Sequence, residues 1–140
     1  MAEEINLTYY GTVYSKKNSK RIIRNRQTGR MALIASEAAQ ENERNMAEQF
    51  KVQPCRPLNY PCVVKVKIFE PNYTRRDLDN QLTSILDALR VANVIEDDDW
   101  RHITSASIEV GGIDKDKPRA EITIIEVEET GKNKVVEINK

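Results

Sequence analysis

Two aspartates one residue apart, Asp77 and Asp79, stand in the stretch RRDLDNQLT, with Arg75 and Arg76 directly before them. A second acidic group, Asp97, Asp98 and Asp99, follows Glu96 further along the chain. Carboxylates gathered in one place repel: two unit charges about 4 Å apart cost roughly 1 kcal/mol in water and roughly 4 kcal/mol at an effective dielectric of about 20. A divalent cation removes that cost. Oxygen donors without histidine or thiolate partners suit Mg2+, with Mn2+ as a substitute. Such an ion can polarise a phosphate and lower the pKa of a water. The same residues admit a plainer account. Aspartate in the first turn of a helix is favoured by capping and by the helix dipole, and EDDDW can be a hydrophilic loop.

The elements around the pair decide whether it can act together. Two helical residues at i and i+2 diverge by about 200° around the axis, whereas two extended residues at that spacing point to the same side. A shared ion therefore requires Asp77 to remain extended, where a strand gives way to a helix. CVVKVKIF (62–69) alternates as a strand should, with Cys62, Val64, Val66 and Ile68 on one side and Lys65 and Lys67 on the other. Glu70, Pro71 and Asn72 end it. Leu78, Leu82, Ile85, Leu86 and Leu89 then form the apolar stripe of a helix that runs to about Ala92, with Asn93 at its end. A helix of that length rises about 22 Å. Asp97–Asp99 reach the first pair only if the chain folds back or if a second subunit supplies them, and spacing leaves both open.

The remaining pattern predicts a strand over about 5–13, from Ile5, Leu7 and Tyr9, and a short strand at RIIRN inside a long basic hairpin or loop. Ser36 is a candidate N-cap for the helix EAAQENERNMAEQF, which Pro54, Pro57 and Pro61 close. Two further strands are expected at about 103–110 and 119–127, joined by the turn-rich GGIDKDKP. Residues 128–140 carry few apolar anchors and read as a loosely held tail. This order implies a single α/β (α+β) domain over 1–140, a small mixed β-sheet packed with two main helices.

Net charge is zero over 140 residues, but the charge is separated. Lys16, Lys17, Lys20, Arg21, Arg24, Arg26 and Arg30 fall in a stretch with no acidic residue, which can present a basic surface to a polyanion. No apolar run approaches the roughly 20 residues needed to span a bilayer, and MAEEINLTYY does not read as a secretory leader. Cys55 and Cys62 lack metal-binding spacing, and His102 is the only histidine. A histidine-rich zinc site is thereby excluded, a serine–histidine–aspartate triad is disfavoured, and a reduced, cytoplasmic protein with no membrane association is the expectation. His102 itself is expected within a strand.

RRDLDN followed by the amphipathic helix, DALRVANVIEDD and a closing strand resembles the RusA family of Holliday junction resolvases, small endodeoxyribonucleases often encoded by phages and prophages. The motif spans Arg75 to about Asp98, with softer similarity from the basic KKNSKRIIRNRQTGR stretch to Val127. The resemblance implies a homodimer whose acidic sites lie in a basic surface, and which makes paired, Mg2+-dependent nicks across four-way junction DNA in recombination and repair. It implies that Asp77 and Asp79 bind the catalytic ion and that Asp98 is the third essential carboxylate, with Asp97 beside it. Lys16, Lys17, Lys20, Arg21, Arg24, Arg26, Arg30, Arg75 and Arg76 would contact the DNA. The family commonly has a lysine six residues after the first aspartate, and here that position is Thr83. A threonine offers only a neutral hydroxyl, so activity is weakened or another cation substitutes, with Arg75, Arg76 and Arg101 the nearest in sequence. Two rivals follow: a non-catalytic junction-binding protein, and a D-x-D nucleotide-sugar transferase, for which the chain is short and which leaves the basic stretch unexplained.

Overall fold

The computed structural model describes residues 4–14, 20–24, 31–35, 37–127 and 135–138, with the backbone alone over 20–24 and 31–35. Eight elements follow in order: β1 (Glu4–Tyr10), β2 (Lys20–Arg24), β3 (Met31–Ala35), α1 (Glu37–Lys51), β4 (Cys62–Glu70), α2 (Leu78–Val91), β5 (Ile103–Ile113) and β6 (Arg119–Glu126). Four strands make a mixed sheet in the order β1-β6-β4-β5, while among the described residues β2 and β3 pair with each other. β6 runs antiparallel to both β1 and β4, and β5 runs parallel to β4. A parallel neighbour requires a crossover, and α2 provides it.

Alternation builds the core. Leu7, Tyr9, Val64, Val66, Ile68, Ile122 and Ile124 are buried from the sheet, and Met46, Phe50, Ile85 and Leu89 are buried from the helices. Lys65 and Lys67 leave the other sheet face polar, as their period predicts. α2 ends where the sequence said it would: Asn93 takes a left-handed φ of 60° directly after the Ala92 cap.

Three elements differ from expectation. β1 stops at Tyr10 because Gly11, at φ 145°, turns the chain and donates its N–H to Pro118 O. The basic segment includes a second strand, β3, formed by MALIA in register with KRIIR. β5 continues through Gly111 and Gly112 to Ile113, so the expected loop begins three residues later than the sequence suggested. The proposed Ser36 cap, and the tail apart from exposed Val135–Ile138, lie outside the described residues. Among the described residues no helix is long and apolar enough to cross a membrane.

The sheet's two edges are treated differently. Along β1, Gln49 accepts from Tyr10 N (2.8 Å) and donates to Tyr10 O (3.0 Å), and Gln53 does the same at Thr8 (2.9 and 2.7 Å). Each carboxamide replaces the pairing of an absent strand. Replacing Gln53 by alanine strips a half-buried N–H and C=O of their partners, so Gln53→Ala is expected to lower stability by about 1–3 kcal/mol in urea unfolding. A loss below about 0.5 kcal/mol, typical of a surface change, would contradict this role.

Candidate active site

The strand-to-helix transition falls at Asp77. Its backbone is extended (φ −81°, ψ 124°), its carbonyl accepts from Gln81 N at 3.1 Å, and its carboxylate makes no cap hydrogen bond to the helix. The simple capping role is therefore not the one its side chain plays. Asp77 Oδ1 lies 3.5 Å from Arg75 Nε. Asp79, one residue into α2, is exposed in the first turn, where the positive end of the helix dipole favours anions.

Beneath the pair is a polar junction that patterning alone did not identify. Glu70, the last residue of β4, accepts from Gln81 Nε2 at 2.7 Å and from Arg76 Nη1 at 2.9 Å. Gln81 Nε2 also donates to Val13 O at 3.0 Å, and Gln81 Oε1 is buried without a hydrogen-bond partner among the described residues. The available signal was a glutamine one residue before Leu82 in the apolar stripe, on the side of α2 that must be buried. Arg76, expected on DNA, is turned inward: its side chain is only 12% exposed, pairs with Glu70, and lies 5.8 Å from the Tyr14 ring. Arg75 is the opposite case, with a side chain 91% exposed. Thr83 Oγ1 donates to Asp79 O at 3.0 Å, so its hydroxyl proton is already committed inside the helix.

Asp97, Asp98 and Asp99 lie at the other end of α2. The helix has 14 residues, about 21 Å of rise, and the loop after it leads into the start of β5 beside the start of β4. Cys62 N there donates to His102 O at 2.8 Å. Glu70, at the end of β4, belongs with Asp77. One chain thus holds its acidic pairs at opposite ends of the β4–α2–β5 unit. Among the described residues, no three His, Cys, Asp or Glu side chains gather closely enough to hold a metal ion.

Within the second group the roles divide. Asp99 accepts from His102 Nδ1 (2.8 Å), His102 N (3.1 Å), Arg101 N (3.0 Å) and Arg101 Nη2 (3.1 Å), so it fastens the loop. Asp98 is exposed and donates its N–H to Asp97 Oδ1 at 2.7 Å. His102, expected in a strand, precedes β5 and sits edge-on to Tyr60, whose hydroxyl accepts from Glu96 N. Of the basic stretch, Lys20, Arg21 and Arg24 fall in β2, while Lys16, Lys17, Arg26 and Arg30 lie outside the described residues.

The His102 hydrogen bond holds the Asp99 carboxyl well below the usual carboxylate range, and the Asp99 carboxylate, with Glu96 Oε2 3.5 Å away, raises the His102 pKa. A histidine raised on folding contributes stability that is fully present below its unfolded value, about 6.5, and lost as pH rises through the folded value. Wild type should therefore exceed His102→Gln in stability at pH 6 by more than at pH 9. An equal difference at both values, by thermal unfolding, would contradict the charged pairing.

Comparison of the chain with curated proteins returns no significant match. Residues 13–125 match the family described as Endodeoxyribonuclease RusA. The match takes in the Glu70–Gln81 junction, both acidic pairs and all of β2 to β5, so this chain belongs to the RusA endodeoxyribonuclease family.

Proposed function

We propose that the chain is a Mg2+-dependent endonuclease that resolves four-way DNA junctions as a homodimer. The observation that carries this is Asp77, whose backbone stays extended at the N-cap of α2, one residue before Leu78 and two before Asp79. At that mouth the donors are carboxylate oxygens, the set that suits a hard divalent cation. Asp77 and Asp79 would supply two ligands. Asp98 of the partner subunit would supply the third, since a chain's own Asp98 sits at the far end of its helix. Mg2+ held there would draw charge from the scissile phosphate and acidify the attacking water. That water forms a new P–O bond as the P–O3′ bond breaks, leaving 5′-phosphate and 3′-hydroxyl ends.

The chain's own residues orient this step. Arg75 projects into solvent beside Asp77, where a guanidinium can hold a phosphate in bidentate fashion. Arg76 acts from inside by holding the loop against Glu70. β2, with Lys20, Arg21 and Arg24, would contact phosphates, giving affinity that falls as salt rises. Resolution needs two cuts related by a two-fold axis, which an isologous dimer supplies. Junction shape, not base sequence, would set selectivity.

A second reading, binding without cleavage, is favoured by Thr83: its hydroxyl is bonded to Asp79 O and brings no charge to the phosphate. A synthetic four-way junction separates the two. With Mg2+, wild type is expected to make paired nicks, and Asp79→Asn to bind the junction without nicking it. Intact strands with binding retained would sink the enzymatic claim. Thr83→Lys should raise cleavage on the order of tenfold or more, the range of one added electrostatic group at a transition state. No gain in an active wild type would show that another cation already serves.

A further inference from the structure

We propose that Tyr73 and Trp100 are base-stacking residues, which take up the faces of nucleobases left unstacked at the branch point of a bound DNA junction. The inference rests on the endonuclease reading and names the side chains that would make that site prefer a junction to a duplex.

The first observation is exposure in a particular place. Tyr73 is 93% exposed, the highest value of any large apolar side chain among the described residues, and Trp100, the chain's only tryptophan, is 69% exposed. Such a ring brings roughly 150–250 Å2 of surface to a core or an interface, and neither ring belongs to this core. Isolated apolar residues on a surface need no explanation, but these two are not scattered. Tyr73 lies four residues before Asp77, and Trp100 two residues after Asp98. Each acidic group has an aromatic ring beside it.

The second observation is how the rings are held. Asn72 Oδ1 accepts from Thr74 N at 3.0 Å, and Asp99 Oδ1 accepts from Arg101 N at 3.0 Å. The two turns share one design: a side-chain oxygen bonded to the N–H two residues on, with the aromatic residue between. Both are fastened from behind. Arg76 Nη1, paired with Glu70, reaches Asn72 Oδ1 at 3.3 Å and Thr74 O at 3.4 Å. His102 Nδ1 donates to Asp99 Oδ1 at 2.8 Å. The backbone under each ring is therefore set before a ligand arrives, and a preorganised contact loses little conformational entropy on binding.

The third is what stands next to the rings. Arg75, with a side chain 91% exposed, comes two residues after Tyr73, and Arg101, 71% exposed, directly follows Trp100. Two extended residues span at most about 7 Å, so a ring and its guanidinium can meet one nucleotide. Aromatic faces for bases beside cations for phosphates is the combination that holds unpaired nucleic acid. An intact duplex hides its base faces. Where strands exchange, a base costs less to unstack, and every base has a π-face, so stacking selects the branch without reading sequence.

The test measures binding of the full chain to a synthetic four-way junction and to a linear duplex, with Ca2+ in place of Mg2+ to keep the strands intact. Tyr73→Ala and Trp100→Ala should each weaken junction binding on the order of tenfold, the range of one base–aromatic stack, and duplex binding by less than about twofold. Tyr73→Phe and Trp100→Phe should restore most of the loss. The dependence of affinity on salt should not change, since no phosphate contact is removed. A junction with 5-iodouracil at the branch point should crosslink under long-wavelength ultraviolet light to Tyr73 or Trp100. Equal losses on junction and duplex, no rescue by phenylalanine, or crosslinks only elsewhere would overturn the proposal. So would an alanine variant with an altered oligomeric state in light scattering, which would place the ring in a subunit contact. A wild type that binds no junction defeats the endonuclease reading and this one with it. A wild type that binds, with alanine variants binding equally well, defeats only the stacking.

Discussion

A single carboxylate ties together the parts of the molecule on which the site depends. Glu70 takes one hydrogen bond from Gln81 in α2 and another from Arg76 in the loop before it, while itself ending β4. Gln81 extends the tie to Val13, beyond β1. Three pieces of chain therefore meet at one anion, and Gln81 links a fourth to it. Both Glu70 and Arg76 have side chains only 12% exposed. A pair this far from water gains little net stability from its attraction, because desolvation opposes it, but removing one partner costs about 3–5 kcal/mol. The pair serves position more than stability. It holds the loop so that Asp77 stays extended and Asp79 falls in the first turn of α2.

Much of this arrangement was legible in the sequence, and the reasons for the rest are physical. The change of period from two in CVVKVKIF to that of a helix at Leu78 locates the strand-to-helix transition to within a residue, and with it the conformation of Asp77. Local periodicity also located α1, β4, β5 and β6. MALIA is a short apolar run without alternation, and its pairing with KRIIR is what makes it a strand. Glu70 and Gln81 are eleven residues apart, and Gln53 and Thr8 forty-five. Contacts at such separations leave no trace in a local pattern. The acidic groups illustrate the limit best. Helix length alone predicts their separation, but a loop could have folded back. It is the parallel pairing of β5 with β4 that sends the chain to the far end of the sheet.

Charge follows the same division of labour. The net neutrality of the chain conceals a basic β2 in its own two-stranded sheet, apart from the four-stranded sheet whose connections carry the acidic positions. Within those positions, hydrogen bonding sorts equal residues into different tasks. Asp99 is saturated by His102 and Arg101, whereas its neighbour Asp98 faces solvent. Arg75 and Arg76 divide in the same way, one outward and one inward. Neither distinction follows from residue type.

The pairing of β1 with β6 carries a consequence for how the chain is made. Glu4 lies opposite Ile125, and Tyr10 opposite Arg119, so β1 waits for β6, the last of the described strands. β4, α2 and β5 can assemble while the chain is still emerging from the ribosome, but the sheet has no complete core until β6 inserts between β1 and β4. Contacts this distant in sequence slow folding. During that interval the apolar residues of β1 have no strand to cover them. The nascent protein is therefore most exposed to aggregation until β6 has emerged, and any truncation before Arg119 leaves β1 permanently unpaired.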